Sequence, residues 1–245
     1  MLCPREITYD GGNVRNWYIG ADVFYGPLAD CFCSLIDESI PPDDNENAAA
    51  DVGRKNGSAS ITIECVDEEL LKRGLRAYII AAAISTIRSG KLGPSTAAGM
   101  TFSSVSEIKN KVAPVTSMLI HPSADLDDHF SVKDAITYWW DGEGGKTGEG
   151  VISDLESLRQ AWINQYEEYR ISASKIAKEY ADRFDIVDLP TWSEVEEVIR
   201  REIVPCTRID VINSRPDSDE RPQFDPRADS CGVWRPPVNQ SSIFI

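Results

Sequence analysis

The sequence predicts an α/β protein in which a helix-rich segment precedes a sheet. Apolar residues recur at helical spacing over VDEELLKRGLRAYIIAAAISTIRSG and over VISDLESLRQAWINQYEEYRISASKIAKEYADRF. The three short apolar runs VTSMLIH, TRIDVINS and SSIFI are typical of buried strands. Because strand and helix signals alternate along the second half of the chain, an α/β fold is favoured over an all-helical one.

Length and charge limit what the protein can do. Its 245 residues, 42% of them hydrophobic, can supply the core of one large domain or of two small ones. The net charge of -15 argues against surface-wide attraction to DNA or anionic lipid, so any contact with nucleic acid is expected to be local. No apolar run reaches membrane-spanning length, and we expect no membrane partner.

Cysteine usage and the first residues predict the compartment. The six cysteines show no paired CxxC spacing. The start of the chain, MLCPREITYD, has no basic-then-apolar leader. We therefore predict a cytoplasmic protein with free thiols.

The first predicted section, residues 1–115, is helical and irregular. Residues 41–60, PPDDNENAAADVGRKNGSAS, are polar, acidic and rich in turn formers, which predicts an exposed, mobile loop. The long helix that follows has acidic residues in its first turn and Arg88 near its end, as the helix dipole favours. The stretch KLGPSTAAGMTFSSVSEIKNKVAP predicts a connection with modest helical character.

The second predicted section, residues 116–245, is an α/β lobe with a helical insertion over about 150–184. The strand VTSMLIH is expected to end before a proline, and Ser131 or a nearby aspartate to cap the next helix. Later, Ser193 stands three residues before Glu196, the spacing of a capping box. The strand TRIDVINS and a proline-rich loop then lead to SSIFI at the end of the chain.

Both histidines lie in SMLIHPSADLDDHF, residues 117–130, together with three aspartates. The chemically reasonable ligands for a divalent ion are His121, Asp125, Asp127, Asp128 and His129. However, the first histidine ends a strand, the second lies across a helix start, and no second cluster stands at ligand spacing. We therefore predict no metal site, and we interpret the aspartates as helix-start residues.

A serine hydrolase is one alternative function. Ser95 precedes His121 by an interval similar to that in Clp-type proteases, MLIH resembles the strand that delivers their histidine, and Asp182 could complete a triad. Such enzymes also need a Gly-Gly turn that aims backbone N–H groups at the oxyanion, and ITIECVDEELL offers none.

A glycine-rich segment raises the question of a phosphate loop. In AITYWWDGEGGKTGEGVISDLE, a predicted strand, a loop with Gly145-Lys146-Thr147 and a helix follow one another. A phosphate loop needs a glycine five positions before Gly145, where this sequence has Trp140. Glu143 and Glu149 would also add negative charge beside a polyanion, so a flexible turn is the simpler interpretation.

Several separated stretches resemble one family in the same order. They are LCPREITYDGGNVRNWYIGADVFYGPL, LLKRGLRAYIIAAAISTIRSG, SMLIHPS and RIDVINSRP, and together they resemble the Z-one domain family of helicase-like ATPases and endonucleases. The resemblance implies a helical section followed by a RecA-like parallel sheet. It also implies ATP-driven work on DNA, often in DNA modification or phage defence, with ATP and Mg²⁺ as cofactors of the complete family protein.

The chain departs from that family pattern. Walker motifs upstream and the glycine-rich "SRG" and "Q..GR" arginine segments downstream are absent, so we expect an incomplete RecA-like sheet in a fragment that is not catalytic alone and takes no cofactor by itself. At the expected strand ends stand His121, Ser123, Asn213 and Ser214, the positions where α/β folds place ligands. Capping and turn formation would explain the same four residues.

The expected partners follow from the last strand. A parallel strand normally needs a crossover helix to cover it, so we expect SSIFI to expose apolar surface that favours the missing RecA-like lobe or self-association. We also expect TRIDVINS and SSIFI to exchange amide hydrogens faster than SMLIH. DNA is expected as a partner through the complete protein, and a non-enzymatic interaction module is the third functional class.

Overall fold

The structure is a computed structural model that describes residues 68–122, 126–179, 189–213, 219 and 221–245. Its elements, in chain order, are α1 (Glu68–Ser89), α2 (Pro94–Ala98), α3 (Val105–Lys111), β1 (Thr116–Leu119), α4 (Leu126–Asp141), α5 (Glu149–Ser157), α6 (Arg159–Glu179), α7 (Trp192–Val198), a π-helical segment (Ile199–Ile203), β2 (Thr207–Asp210), β3 (Arg227–Ala228), β4 (Trp234–Arg235) and β5 (Ser241–Phe244). The α/β class is therefore confirmed. The acidic loop predicted at 41–60 lies outside the described residues.

The last strand lies in the middle of the sheet. Strands β1, β5 and β2 are parallel and adjacent in that order. Ser241 stands opposite Thr116 on one side and Thr207 on the other. Every residue of β5, and Ile245 after it, is buried. The strand SSIFI is confirmed, but the apolar surface expected at these residues is not exposed, because β5 has a neighbour on each side and cover on both faces. Of the sheet residues, Leu119 in β1 is instead the exposed large apolar one.

The chain divides into two compact units. The unit formed by Ser60–Glu167 and Val187–Ile245 contains every described element except the part of α6 from Glu168 onward. In this unit α1 packs on the sheet, and its Tyr78 hydroxyl lies 2.8 Å from Ser241 Oγ in β5. This unit therefore holds elements from both sides of the division predicted after residue 115, and α1 covers one face of the sheet. The insertion predicted at 150–184 consists of α5 and α6, described to residue 179.

Large apolar side chains from several helices and from β5 form the core. Those with no more than 1% exposure include Trp140, Trp162, Leu75, Ile79, Ile80, Ile136, Leu155, Ile199, Ile203 and Ile243. Most come from α1, α4, α5 and the π-helical segment, so the helices bury their apolar stripes against one another and against the sheet. Of the helices that the structure describes, none is long and apolar enough to cross a membrane.

Two predicted helix starts are displaced. The capping box of α7 is formed by Thr191 and Glu194, with Thr191 N donating to Glu194 Oε2 at 2.7 Å, and not by Ser193 and Glu196. Both pairs have the required spacing, but Glu196 instead accepts hydrogen bonds from two arginines. Ser131 lies inside α4, where its hydroxyl donates to the carbonyl of Asp127 four residues earlier, so it is not a cap.

Candidate functional site

The carboxyl ends of the three parallel strands form one edge. His121 follows β1 and Asn213 follows β2, so the two residues flank the end of β5. The ladders continue past the strand ends, with Ile120 N donating to the Phe244 carbonyl at 2.8 Å and Ile212 N donating to the Ile245 carbonyl at 2.8 Å. Neighbouring strands are about 4.8 Å apart, so β1 and β2 are separated by roughly 10 Å. The structure thus brings two of the predicted site residues to the same edge; Ser123 and Ser214 lie outside the described residues.

Two histidine rings lie in contact at this edge of the sheet. His121 is exposed, and its ring meets the buried ring of His129, in the first turn of α4, edge to face at 5.5 Å between centroids. Because one ring is buried against the helix and the other is open to solvent, His121 is the ring that can contact a ligand. Asp125 lies outside the described residues, and among those described no three His, Cys, Asp or Glu side chains are grouped to hold a metal ion.

An ion pair fixes the chain after β2 to α4. Lys133 Nζ lies 2.6 Å from Asp219 Oδ2, and the amide of Val211 donates to the same oxygen at 2.6 Å. Burial would raise the pKa of Asp219, but these two hydrogen bonds outweigh it and hold the pKa below its usual value. The carboxylate is thus ionised at neutral pH and links Val211, just after β2, to Lys133 in α4.

The structure does not bring Ser95 to His121. Ser95 lies in α2, whose next residue Thr96 donates its backbone N–H to Glu202 Oε2 at 2.9 Å and its hydroxyl to Glu202 Oε1 at 2.5 Å. Glu202 belongs to the π-helical segment just before β2, so Ser95 lies toward the amino ends of the strands, whereas His121 lies beyond their carboxyl ends. The third residue of the predicted triad, Asp182, lies outside the described residues.

Close packing explains the glycine-rich loop. The predicted strand before it is the end of α4, and Trp140, in the place of a first phosphate-loop glycine, is buried there. A Cβ atom on Gly150 would clash with the Trp139 carbonyl oxygen, and one on Gly148, whose φ is +82°, would clash with Val204. Gly148 and Gly150 are therefore required, because neighbouring atoms come too close to leave room for a Cβ atom at either position. At these two residues the loop is packed and is not the flexible turn that the sequence predicted.

A groove beside the glycine-rich loop was not predicted from the sequence. It has a volume of about 450 Å³, and its lining residues are Thr147, Gly148, Glu149, Ile152, Ser153, Glu156, Arg200, Val204 and Pro205. Arg200, in the π-helical segment, donates to Glu156 at 2.9 Å and to Glu196 at 3.1 Å. Its charge is thus already compensated by carboxylates, and the groove offers no open cationic surface to a polyphosphate. The groove is lined in part by the π-helical segment, and π-helical turns often occur at functional sites. No sequence pattern predicted this segment.

Comparisons of the chain with protein-family models, with curated proteins and with solved structures find no match. The resemblance noted in the sequence therefore stays a prediction. Of the predicted site residues, His121 and Asn213 lie at the same carboxyl-end edge of the sheet.

Proposed function

We propose that this chain is the helical section and one α/β lobe of a nucleic-acid-directed, helicase-like ATPase, with the carboxyl-end edge of its sheet facing the ligand. One observation supports this most directly: His121 and Asn213 follow the two strands that flank β5. Parallel α/β sheets bind ligands outside the carboxyl ends of their strands. The imidazole of His121 is exposed and can hydrogen-bond to phosphate, sugar or base, whereas the amide nitrogen of Asn213 is buried, so Asn213 marks the other side of this edge.

The proposed role of this chain is binding and not hydrolysis. Phosphoryl transfer needs a phosphate loop, a metal-binding acid, a residue that orients the attacking water, and cationic side chains that stabilise the transition state. Lys146 is exposed and pairs with Glu149 at 3.0 Å, so it does not occupy a phosphate cradle. ATP and Mg²⁺ are accordingly proposed as ligands of a complete assembly that includes a second lobe.

The experiment measures the binding of a fluorescently labelled single-stranded oligonucleotide by anisotropy, together with ATP turnover. We expect measurable binding at low salt and ATP turnover at background. His121→Ala should weaken binding by about 3- to 10-fold, the effect of losing one hydrogen bond. Ser95→Ala, toward the other end of the sheet, is the matched control and should bind like the parent protein.

Two results would contradict the proposal. The first is the absence of oligonucleotide binding at any salt concentration. The second is ATP turnover by the chain alone that Lys146→Ala abolishes, which would make the glycine-rich loop a true phosphate site.

A further inference from the structure

The short β3–β4 hairpin has one anchored side and one open side. Ala228 stands opposite Trp234, and Arg227 stands opposite Arg235. Trp234 exchanges two backbone hydrogen bonds with Phe102, at 2.8 and 2.9 Å. It packs against a small buried cluster made of Ala97, Phe102, Ile108 and Val112. Because side chains alternate along a strand, the two arginines project from the opposite side, and both are exposed.

Two like charges directly opposite each other are unfavourable in an antiparallel pair. Several other arginines of this acidic chain are paired with carboxylates, as in Arg76–Asp154 and Arg201–Glu197. Within the described part of the chain, no ion pair links Arg227 or Arg235 to an acidic residue. The fold thus holds two exposed arginines at opposite positions of the hairpin, an arrangement whose repulsion an incoming anion would relieve.

Two exposed acidic residues, Asp225 and Asp229, stand close to these arginines in the sequence. Asp229 turns its Oδ1 toward the hairpin turn, where it accepts the amides of Cys231 and Val233 at 2.9 and 3.0 Å. Asp225 is exposed two residues before Arg227 and can oppose an anion there. Phe224, beside it, is 45% exposed and has its ring against Phe244 at 5.8 Å between centroids. An exposed aromatic ring thus stands three residues before the first hairpin arginine in the chain.

We propose that Arg227 and Arg235 form a phosphate-contacting surface for a single-stranded nucleic acid. The proposal rests on the nucleic-acid-directed function proposed above and adds where the backbone binds. A guanidinium group matches phosphate with two parallel hydrogen bonds, which favours arginine at such contacts. Phe224, three residues before Arg227 in the chain, offers an exposed ring on which a base of any identity can stack. Such local contact is compatible with the net charge of -15.

The test is the salt dependence of oligonucleotide binding. For a single strand, the slope of log K against log salt concentration is about -0.7 for each phosphate neutralised. Arg227→Gln and Arg235→Gln should each make the slope less negative by about 0.7 and weaken binding at low salt, and the double variant by about 1.4. Arg88→Gln removes an equal charge from an exposed arginine in α1 and should leave the slope unchanged. Asp225→Asn should strengthen binding, because it removes the opposing charge.

The outcomes separate this inference from the proposed function. If the parent protein binds the oligonucleotide but both hairpin variants keep its slope, the hairpin assignment is wrong and the proposed function stands. If the hairpin variants lose binding while His121→Ala does not, the hairpin is supported and the carboxyl-end edge is not.

If a charge-matched sulfated polysaccharide competes as well as unlabelled oligonucleotide, the surface is a general anion site and the nucleic-acid assignment fails. Absence of all oligonucleotide binding overturns both. Thermal unfolding of each variant confirms that the hairpin is intact.

Discussion

The guanidinium group of Arg76 and the carboxylate of Asp154 form two parallel hydrogen bonds, Nε to Oδ1 at 3.1 Å and Nη2 to Oδ2 at 3.0 Å. The indole of Trp162 donates to Oδ1 at 2.7 Å, and that of Trp139 donates to Oδ2 at 3.3 Å. Only 8% of the Arg76 side chain and 11% of the Asp154 side chain are exposed. These four residues belong to α1, α4, α5 and α6, so a single carboxylate joins four helices.

Asp154→Ala should be strongly destabilising. It leaves the buried guanidinium of Arg76 without its counter-charge and two indole N–H groups without acceptors. Removing one partner of a buried pair typically costs about 3–5 kcal/mol. The exposed Glu197–Arg201 pair provides the control, and Glu197→Ala should cost roughly 0–1 kcal/mol. Equilibrium denaturation measures both free energies of unfolding, and similar values for the two variants would contradict the structural role of Asp154.

The same carboxylate should make stability depend on pH. Burial would raise the pKa of Asp154, but hydrogen bonds from Arg76 and Trp162 outweigh burial and hold the pKa below its ordinary value of 3.8. A lowered pKa in the folded state contributes stability that is complete above the unfolded pKa of about 3.9 and is lost as pH falls through the folded pKa. The difference in unfolding free energy between the parent protein and Asp154→Asn should therefore be constant near neutral pH and shrink below about pH 4. A difference that grows on acidification would mean that the pKa of Asp154 is raised.

Gly150→Ala separates packing from helix propensity. Gly150 lies in the first turn of α5, where propensity alone predicts that alanine stabilises by about 1 kcal/mol. A Cβ atom at this position would clash with the Trp139 carbonyl and lie 2.6 Å from Gly142 N, so we expect destabilisation by about 1–3 kcal/mol. Gly99→Ala is the control, since its φ is -83° and its nearest neighbouring atom would be 3.9 Å away. A stabilised Gly150→Ala variant would show that the loop is as loose as the sequence suggested.

Hydrogen exchange should rank the strands by their position in the sheet. The amides of β5 lie between two partner strands and under cover, so Ile243 should exchange among the slowest residues. In β1, Ser117 and Leu119 are exposed and the strand has one partner among the described strands, so this strand should exchange faster. The order is the reverse of the one expected from the sequence. Exchange faster in SSIFI than in SMLIH would support the original expectation and contradict the sheet order.

Ser95 should not behave as a catalytic nucleophile. An activated serine needs a base within hydrogen-bonding distance, and the structure places Ser95 and His121 toward different ends of the sheet. We therefore expect no labelling of the native protein by a fluorophosphonate probe. Labelling that Ser95→Ala abolishes would establish the serine hydrolase instead.

Local patterns in the sequence determined the class and most elements. The runs VTSMLIH, TRIDVINS and SSIFI contain β1, β2 and β5, and the helical periodicity located α1, α5 and α6. A helix or strand signal depends on neighbours a few residues away, which is why it can be read from one segment. The same local patterns placed His121 and Asn213 at strand ends, because the position of a strand also fixes which residues follow it.

Only the tertiary structure decided which segments become neighbours. Residue spacing does not encode the contacts that select Thr191 for the capping box. Nor does it encode those that make the residues before the glycine-rich loop the end of helix α4 and not a strand. Arg227 and Arg235 are eight positions apart, and only the hairpin register sets them face to face. The final strand is apolar by its sequence alone. It is protected because it pairs with β1, more than a hundred residues earlier in the chain, and lies in the centre of the sheet. Strand pairing and burial are long-range choices, fixed by the free energy of the whole core and not by any one stretch of sequence.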